Sequence, residues 1–356
     1  MKHKTNVIKN KCLLIVVATI FALPLTLVAQ NEKESSPLEV TGSVDVYYTY
    51  DFSGKDNIPT SFADNRNSLS IGMLDVALAK SFKNVSFMAE FSFGPRSFKS
   101  IPIFDPDGDG EGPMVGIQNL YLSYNITEKL SLTAGYMGTF VGYEVISPAG
   151  NFNYSTSYLF TNGPFQNAGI KADYSFTDRF AVMVGLFNDW NIYTDTDGMS
   201  DIGAQVFISP VKGWDMYLNF VMGSNSGTIL DLTTGYQVTE AFYLGLNAAD
   251  YTYSNSIEGG YNGLAFYPQY ALSDVFSIGL RTEYFVIKEG KDESGTITQA
   301  SGDVFSTTIT GNFKIGGFTF IPEVRVDSSG DLDFLNKNNN AATSASQVTF
   351  AAVYAF

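Results

Sequence analysis

Residues 276–284 read Phe276-Ser277-Ile278-Gly279-Leu280-Arg281-Thr282-Glu283-Tyr284. Phe276, Ile278, Leu280, Thr282 and Tyr284 alternate with Ser277, Gly279, Arg281 and Glu283. A period of two is what an extended strand with two unlike faces produces. The same alternation runs from Val85 to Phe93, from Ala168 to Phe176 and from Phe318 to Asp327. Each run is about 10 residues, the number that crosses a bilayer as a tilted strand. A soluble sandwich would also alternate, but its run lengths and spacing would be less uniform.

The connections alternate short and long. Tight polar turns fall at 82–84, 127–129, 177–178, 210–212, 239–240, 273–274 and 315–317. Longer irregular segments lie near 53–67, 94–114, 138–163, 189–200, 223–228, 252–261, 288–301 and 327–346. Outer-membrane barrels have short periplasmic turns and long external loops. About seven turns and eight loops predict about 16 strands, in a range of about 14–18, and a barrel of that size leaves an aqueous channel. The expected fold is an all-β, single-domain, antiparallel transmembrane barrel over residues 30–356.

Ahead of it, Lys2, Lys4, Lys9 and Lys11 precede an apolar stretch from Cys12 to Val28, with Ala29–Gln30 as the cleavage point. Residues 1–29 thus read as a secretory signal peptide. An uncleaved anchor is the other reading, and Pro24 and the polar segment from Asn31 to Glu34 argue against it. Cys12 stands ahead of the apolar core rather than after it, which argues against a lipoprotein.

Cleavage would remove the one histidine, His3, and the one cysteine, Cys12. What remains has no disulfide, no thiolate, no imidazole base and no His/Cys site for zinc or haem. Neither enzymatic activity nor a cofactor is expected. Formal net charge is -15, and about −19 without the signal lysines, which disfavours nucleic acid as a partner. Charged residues make up 16% and aromatics 15%, against about 25% charged in soluble domains. That shift is what a lipid-facing exterior requires.

On the strand phase, the face opposite the apolar one collects Glu39, Asp45, Asp75, Glu90, Asp173, Asp215, Asp231, Glu283, Glu323 and Asp327 against Lys171, Arg281, Lys314 and Arg325. Arg or Lys facing lipid at mid-bilayer would cost ~2–4 kcal/mol, so this face points inward. Glu90, Lys171, Asp173, Arg281, Glu283, Glu323 and Arg325 are the expected pore-lining residues, several pairing across strands, such as Arg281 with the neighbours of Glu283. Segment 138–163, the third external loop, carries Phe140, Tyr143, Phe152, Tyr154, Tyr158 and Phe160. Rings so dense need burial, and the barrel interior supplies it. Tyr143, Glu144, Asn153 and Tyr154 are the expected constriction residues; packing on the external rim is the alternative. Asp105, Asp107, Asp109 and Glu111 match half of a calcium loop, but its twelfth position is Gly116, not an acid. A solvated acidic loop is the expected reading and weak calcium binding the alternative. Tyr354 and Phe356 end the last strand on its apolar phase and resemble the terminal signal read by the barrel-assembly machinery.

Four features between Asn67 and about Trp190 carry a resemblance. Phe91-Ser92-Phe93-Gly94 ends a strand, Ala134-Gly135-Tyr136 leads to Gly142-Tyr143-Glu144, Asn153-Tyr154-Ser155 follows, and Gly163-Pro164-Phe165 runs to Gly169. This third of the chain resembles the β-barrel porin family described as OmpL-like. That family often has Arg after the Tyr-Ser pair and His two residues after Pro-Phe, where this chain has Thr156 and Asn167. The resemblance implies a channel of unassigned substrate in a Gram-negative outer membrane. The expected function is passive diffusion of small hydrophilic solutes or ions, with a modest cation preference. The alternative is a structural or adhesive surface barrel whose lumen the third loop blocks. Lipid, the assembly machinery and further copies of the chain are the expected partners.

Overall fold

The first strand shows how the alternation becomes architecture. In β1 (Glu39–Asp51), Ser43, Asp45, Tyr47, Thr49 and Asp51 are buried, while Val44, Val46 and Tyr50 are exposed. Fifteen more long strands complete the sheet in the computed structural model, which describes residues 36–100, 115–196, 198–254, 258–292 and 294–356. They are β2 (Leu69–Phe82), β3 (Val85–Phe93), β4 (Val115–Asn125), β5 (Leu130–Gly138), β6 (Gln166–Thr177), β7 (Phe180–Phe187), β8 (Asp201–Val211) and β9 (Trp214–Gly223). Then follow β10 (Gly227–Gln237), β11 (Phe242–Thr252), β12 (Glu258–Ala271), β13 (Phe276–Lys291), β14 (Gly302–Ile315), β15 (Phe318–Ser328) and β16 (Ser344–Ala355). A three-residue piece, Ile297–Gln299, extends the tip of β13.

Each strand pairs antiparallel with its sequence neighbours, and β1 pairs with β16 from Ser43↔Ala355 to Asp51↔Gln347. That closure makes a 16-strand barrel and leaves no open edge, so the backbone groups at membrane depth are satisfied within the sheet. Lipid then meets only side chains. Leu122, Val184, Leu264 and Ile309 are among the large apolar residues exposed on the outer wall. At the end carrying the short turns, aromatic pairs form a belt: Tyr174 with Phe176 at 4.7 Å, Trp214 with Tyr236 at 5.5 Å, and Phe276 with Phe313 at 4.3 Å between ring centroids. Such belts mark the membrane–water interface.

The turns are as short as two residues. Gly213 and Gly316 take φ of 84° and 60° in them, a left-handed conformation that glycine adopts without strain. The opposite end carries the long loops, with helix α1 (Pro95–Ser100) in the second and helix α2 (Tyr158–Asn162) in the third. Residues 1–29, read above as a signal peptide, and the acidic loop with Asp105, Asp107, Asp109 and Glu111 lie outside the described residues.

Candidate functional site in the barrel lumen

The third loop, residues 139–165, lies inside the barrel. Tyr154, Ser155, Thr156 and Ser157 are each 0% or 1% exposed, and Tyr158 and Leu159 are 4% exposed. A loop buried this way must find partners for its backbone N–H groups, since each one left unmet costs ~1–3 kcal/mol. The wall supplies carboxylates. Glu323 accepts from the Tyr154 N–H at 3.0 Å and from the Ser155 N–H and hydroxyl. Glu283 accepts from the N–H groups of Tyr158 and Leu159 at 2.8 and 2.7 Å, beside the first turn of α2. Asp231 accepts from the Gly142 N–H at 2.9 Å and from Asn219 and Asn247. The Tyr154 hydroxyl donates to Asp45 at 2.5 Å, that of Tyr158 to Asp327 at 2.7 Å, and that of Ser147 to Asp75 at 2.9 Å.

Three arginines hold the other polarity. Arg281 donates to Glu144 and to the Ser155 carbonyl, both at 2.6 Å. Arg325 donates to Asp327 and, at 2.8 Å, to the Thr156 carbonyl. Arg96, at the start of α1, donates to the carbonyls of Ile146 and Tyr154 while its guanidinium lies over the rings of Phe62 and Tyr154. Within the loop, Glu144 also accepts from the N–H and hydroxyl of Ser157, each at 2.7 Å, and Ser157 caps α2 by accepting from Phe160.

Apolar packing follows a matching plan. Inward-facing glycines leave sockets that the loop's large side chains fill. A Cβ on Gly279 would lie 2.3 Å from the ring of Phe152, one on Gly245 2.2 Å from the Tyr143 hydroxyl, and one on Gly263 2.9 Å from Leu159. Toward the external end, Ile58 of the first loop, Val141, Tyr158 and Leu159 of the third, and Phe334 of the eighth join wall residues Tyr261, Phe285 and Val304 in one core. There, one pocket between the loop and β10–β12 measures about 10 Å³, room for about one water.

Larger spaces lie toward the short-turn end. One, of about 510 Å³, is bounded by Tyr143, Phe152, Tyr243, Tyr267, Gln237 and Gln269. A second, of about 430 Å³, is bounded by Phe140, Tyr143, Gln205, Asp215, Tyr217 and Tyr243. Tyr143 and Tyr243 border both, and their hydroxyls meet at 3.1 Å.

Against the residues picked from sequence, the structure brings Tyr143, Glu144, Asn153 and Tyr154 together inside the lumen, with Asn153 donating to Thr310 at 2.6 Å. Glu90 is half-buried and accepts from Asn119 at 2.5 Å; Lys171 and Asp173 pair at 3.1 Å. Four of the expected lining residues lie under the loop. Arg281, Glu283, Glu323 and Arg325 face the interior at 0–2% exposure, where the loop covers them. Arg281 pairs with Glu144 of the loop and also donates to Thr308, its partner on the neighbouring strand, at 3.3 Å. The loop brings a carboxylate onto the guanidinium together with the Ser155 carbonyl. Sequence reasoning passed over Arg96, Tyr243 and the socket glycines. The last had a signal: glycines on the inward phase of β8, β11, β12 and β13. Tyr354 and Phe356 are exposed on the outer wall, with Phe356 and Gly42 exchanging both backbone hydrogen bonds.

The family model described as "Putative beta-barrel porin-2, OmpL-like" matches residues 37–356. No curated protein matches the chain. Among solved structures, the outer membrane channel DcaP of Acinetobacter baumannii is similar with a TM-score of 0.61 at 11% identity, over 92% of this chain and 99% of that one. An anion-selective porin from Comamonas acidovorans gives 0.58 at 12%, over 91% and 100%. OmpT of Vibrio cholerae, in its trimer form, gives 0.58 at 12%, over 90% and 99%. Identities this low establish a common fold and nothing finer.

Proposed function

The chain belongs to the OmpL-like β-barrel porin-2 family of the Gram-negative outer membrane, and we propose that this member is a passive diffusion channel for small hydrophilic solutes whose third loop sets the width of the path. The observation that carries this reading is the loop's seat inside the barrel, which narrows the lumen while leaving open spaces of about 510 and 430 Å³ along β8–β12 toward the periplasmic end. The chain acts without cofactor or covalent chemistry. Residues 1–29 are the signal peptide lost on export, and the assembly machinery inserts residues 30–356 into lipid. The Vibrio cholerae barrel of the same fold is described as a trimer, and a homo-oligomer is the corresponding arrangement here.

A modest cation preference goes with this reading. The fold does not decide ion preference, since the Comamonas barrel is described as anion-selective. Charge along the wall does. The loop occupies Asp231, Glu283 and Glu323 as hydrogen-bond acceptors, so they contribute little to the open path. Glu90 and the exposed Asp215, which borders the second cavity, carry the field, and Lys171 offsets Asp173. A fixed negative field in a narrow aqueous path enriches cations.

One observation favours a second reading. The apolar core from Ile58 to Phe334 fills the external half so closely that a structural or adhesive barrel with a blocked lumen would have the same packing. Purified protein in planar bilayers separates the two: discrete conductance steps support the channel, and a silent membrane with folded barrel inserted supports the block.

A further inference from the structure

The 510 Å³ cavity beneath the third loop has a chemistry that general diffusion does not require. Its volume falls within the ~300–1,000 Å³ of small-molecule sites. Tyr143, Phe152 and Tyr243 border it with partly exposed rings. Tyr143 is backed by Tyr267, stacked at 4.3 Å, and Phe152 by Gly279, so both rings are held in place before any solute arrives. Gln237 and Gln269 border the same space. Gln269 sits on the inward phase of β12, half-buried, and its amide makes no hydrogen bond among the described residues. Gln237 donates its N–H groups to the carbonyls of Thr239 and Phe242, leaving its oxygen as an acceptor.

Charge is the informative quantity. Glu144 is the one Asp, Glu, Lys, Arg or His side chain bordering the cavity among the described residues. Both of its oxygens are engaged, one by Arg281 and the other by Ser157. The cavity is therefore electrically quiet, although the chain around it is strongly acidic. Aromatic faces present negative quadrupole to weakly positive C–H groups, and primary amides both donate to and accept from hydroxyls. A ligand that offers C–H faces and hydroxyls but no charge meets all of these groups.

We propose that this cavity is a binding site for neutral polyhydroxylated solutes of hexose to disaccharide size, held by Tyr143, Phe152 and Tyr243 against their ring faces and by Gln269 and Gln237 at their hydroxyls. Cavity and solute meet near the turns at 238–241 and 272–275, the periplasmic end. The proposal rests on the porin reading for how the solute reaches the cavity.

The test is calorimetric titration of the full-length barrel in a non-glycosidic detergent with glucose, maltose and gluconate. Glucose or maltose should bind in the millimolar range, gluconate at least tenfold more weakly. F152A and Q269A should each weaken the sugar at least tenfold, and F152W should retain it, all in barrels with unchanged heat-modifiable mobility. No heat with either sugar, equal binding of gluconate, or sugar binding unaltered in both F152A and Q269A would overturn the site. Bilayer recording of the same preparation separates the two readings. Conductance steps without sugar binding defeat the site alone, and sugar binding with a silent membrane defeats the porin reading while the site stands.

Discussion

Arg281 Nη1 donates to Glu144 Oε1 at 2.6 Å, joining β13 to the third loop across 137 residues of sequence, with both side chains 0% and 4% exposed. A buried pair of this kind adds little net stability over apolar residues of the same shape, but removing one partner strands the other charge at a cost of about 3–5 kcal/mol. The pair thus fixes where the loop sits more than whether the barrel forms. In R281M the strand ladder of β13 with β12 and β14 is untouched, while Glu144 loses its partner. We expect normal heat-modifiable barrel, together with faster loop cleavage in limited proteolysis and greater single-channel current noise. E144Q/R281M should restore much of the quiet state, because no uncompensated charge remains. Proteolysis and noise in R281M equal to the parent protein would show that the pair does not hold the loop.

Assembly is expected to depend on the other end of the chain. Phe356 and Gly42 exchange backbone hydrogen bonds at the β1–β16 closure, and the Phe356 ring is exposed on the outer wall. Deleting Phe356 should lower the amount of outer-membrane barrel while leaving export to the periplasm intact. Fractionation with heat-modifiability as readout decides it, and an undiminished yield would deny the terminal ring a role.

Ion preference follows from the charges the loop leaves free. Under a KCl gradient the reversal potential should show modest cation preference. The preference should weaken with salt as the Debye length falls below ~10 Å at 0.1 M. E90Q and D215N should each reduce it, and D173N should shift it toward anions by freeing Lys171. Anion preference in the parent protein would place the controlling charge on Lys or Arg instead.

Much of this architecture is legible in the chain because strand faces report on two solvents. Val44 and Val46 beside Asp45, or Val324 and Val326 beside Arg325, can be told apart with no partner strand in view. Loop three betrays its burial through its rings, since Tyr154 and Tyr158 have no reason to cluster in a solvated segment. The wall positions that receive it are another matter. Glu323 meets Ser155 over a separation of 168 residues, and Gly279 takes Phe152 from a distant loop. Those pairings depend on the closed barrel, so a period of two cannot supply them. Glu283 and Glu323, which read as lining carboxylates, accept hydrogen bonds from a buried loop, and phase alone cannot show that.

The seat of the third loop is the centre of this account, and single-channel conductance with and without it tests that seat most directly. Residues 145–160 carry the contacts to Asp45, Asp75, Glu283, Glu323 and Asp327. Their deletion removes the side chains that make these contacts without touching a strand. In planar bilayers, barrels lacking 145–160 should show steps at least severalfold larger than the small steps of the full-length protein. Correctly assembled deletion barrels with unchanged conductance would contradict the account, placing the limiting constriction outside the third loop.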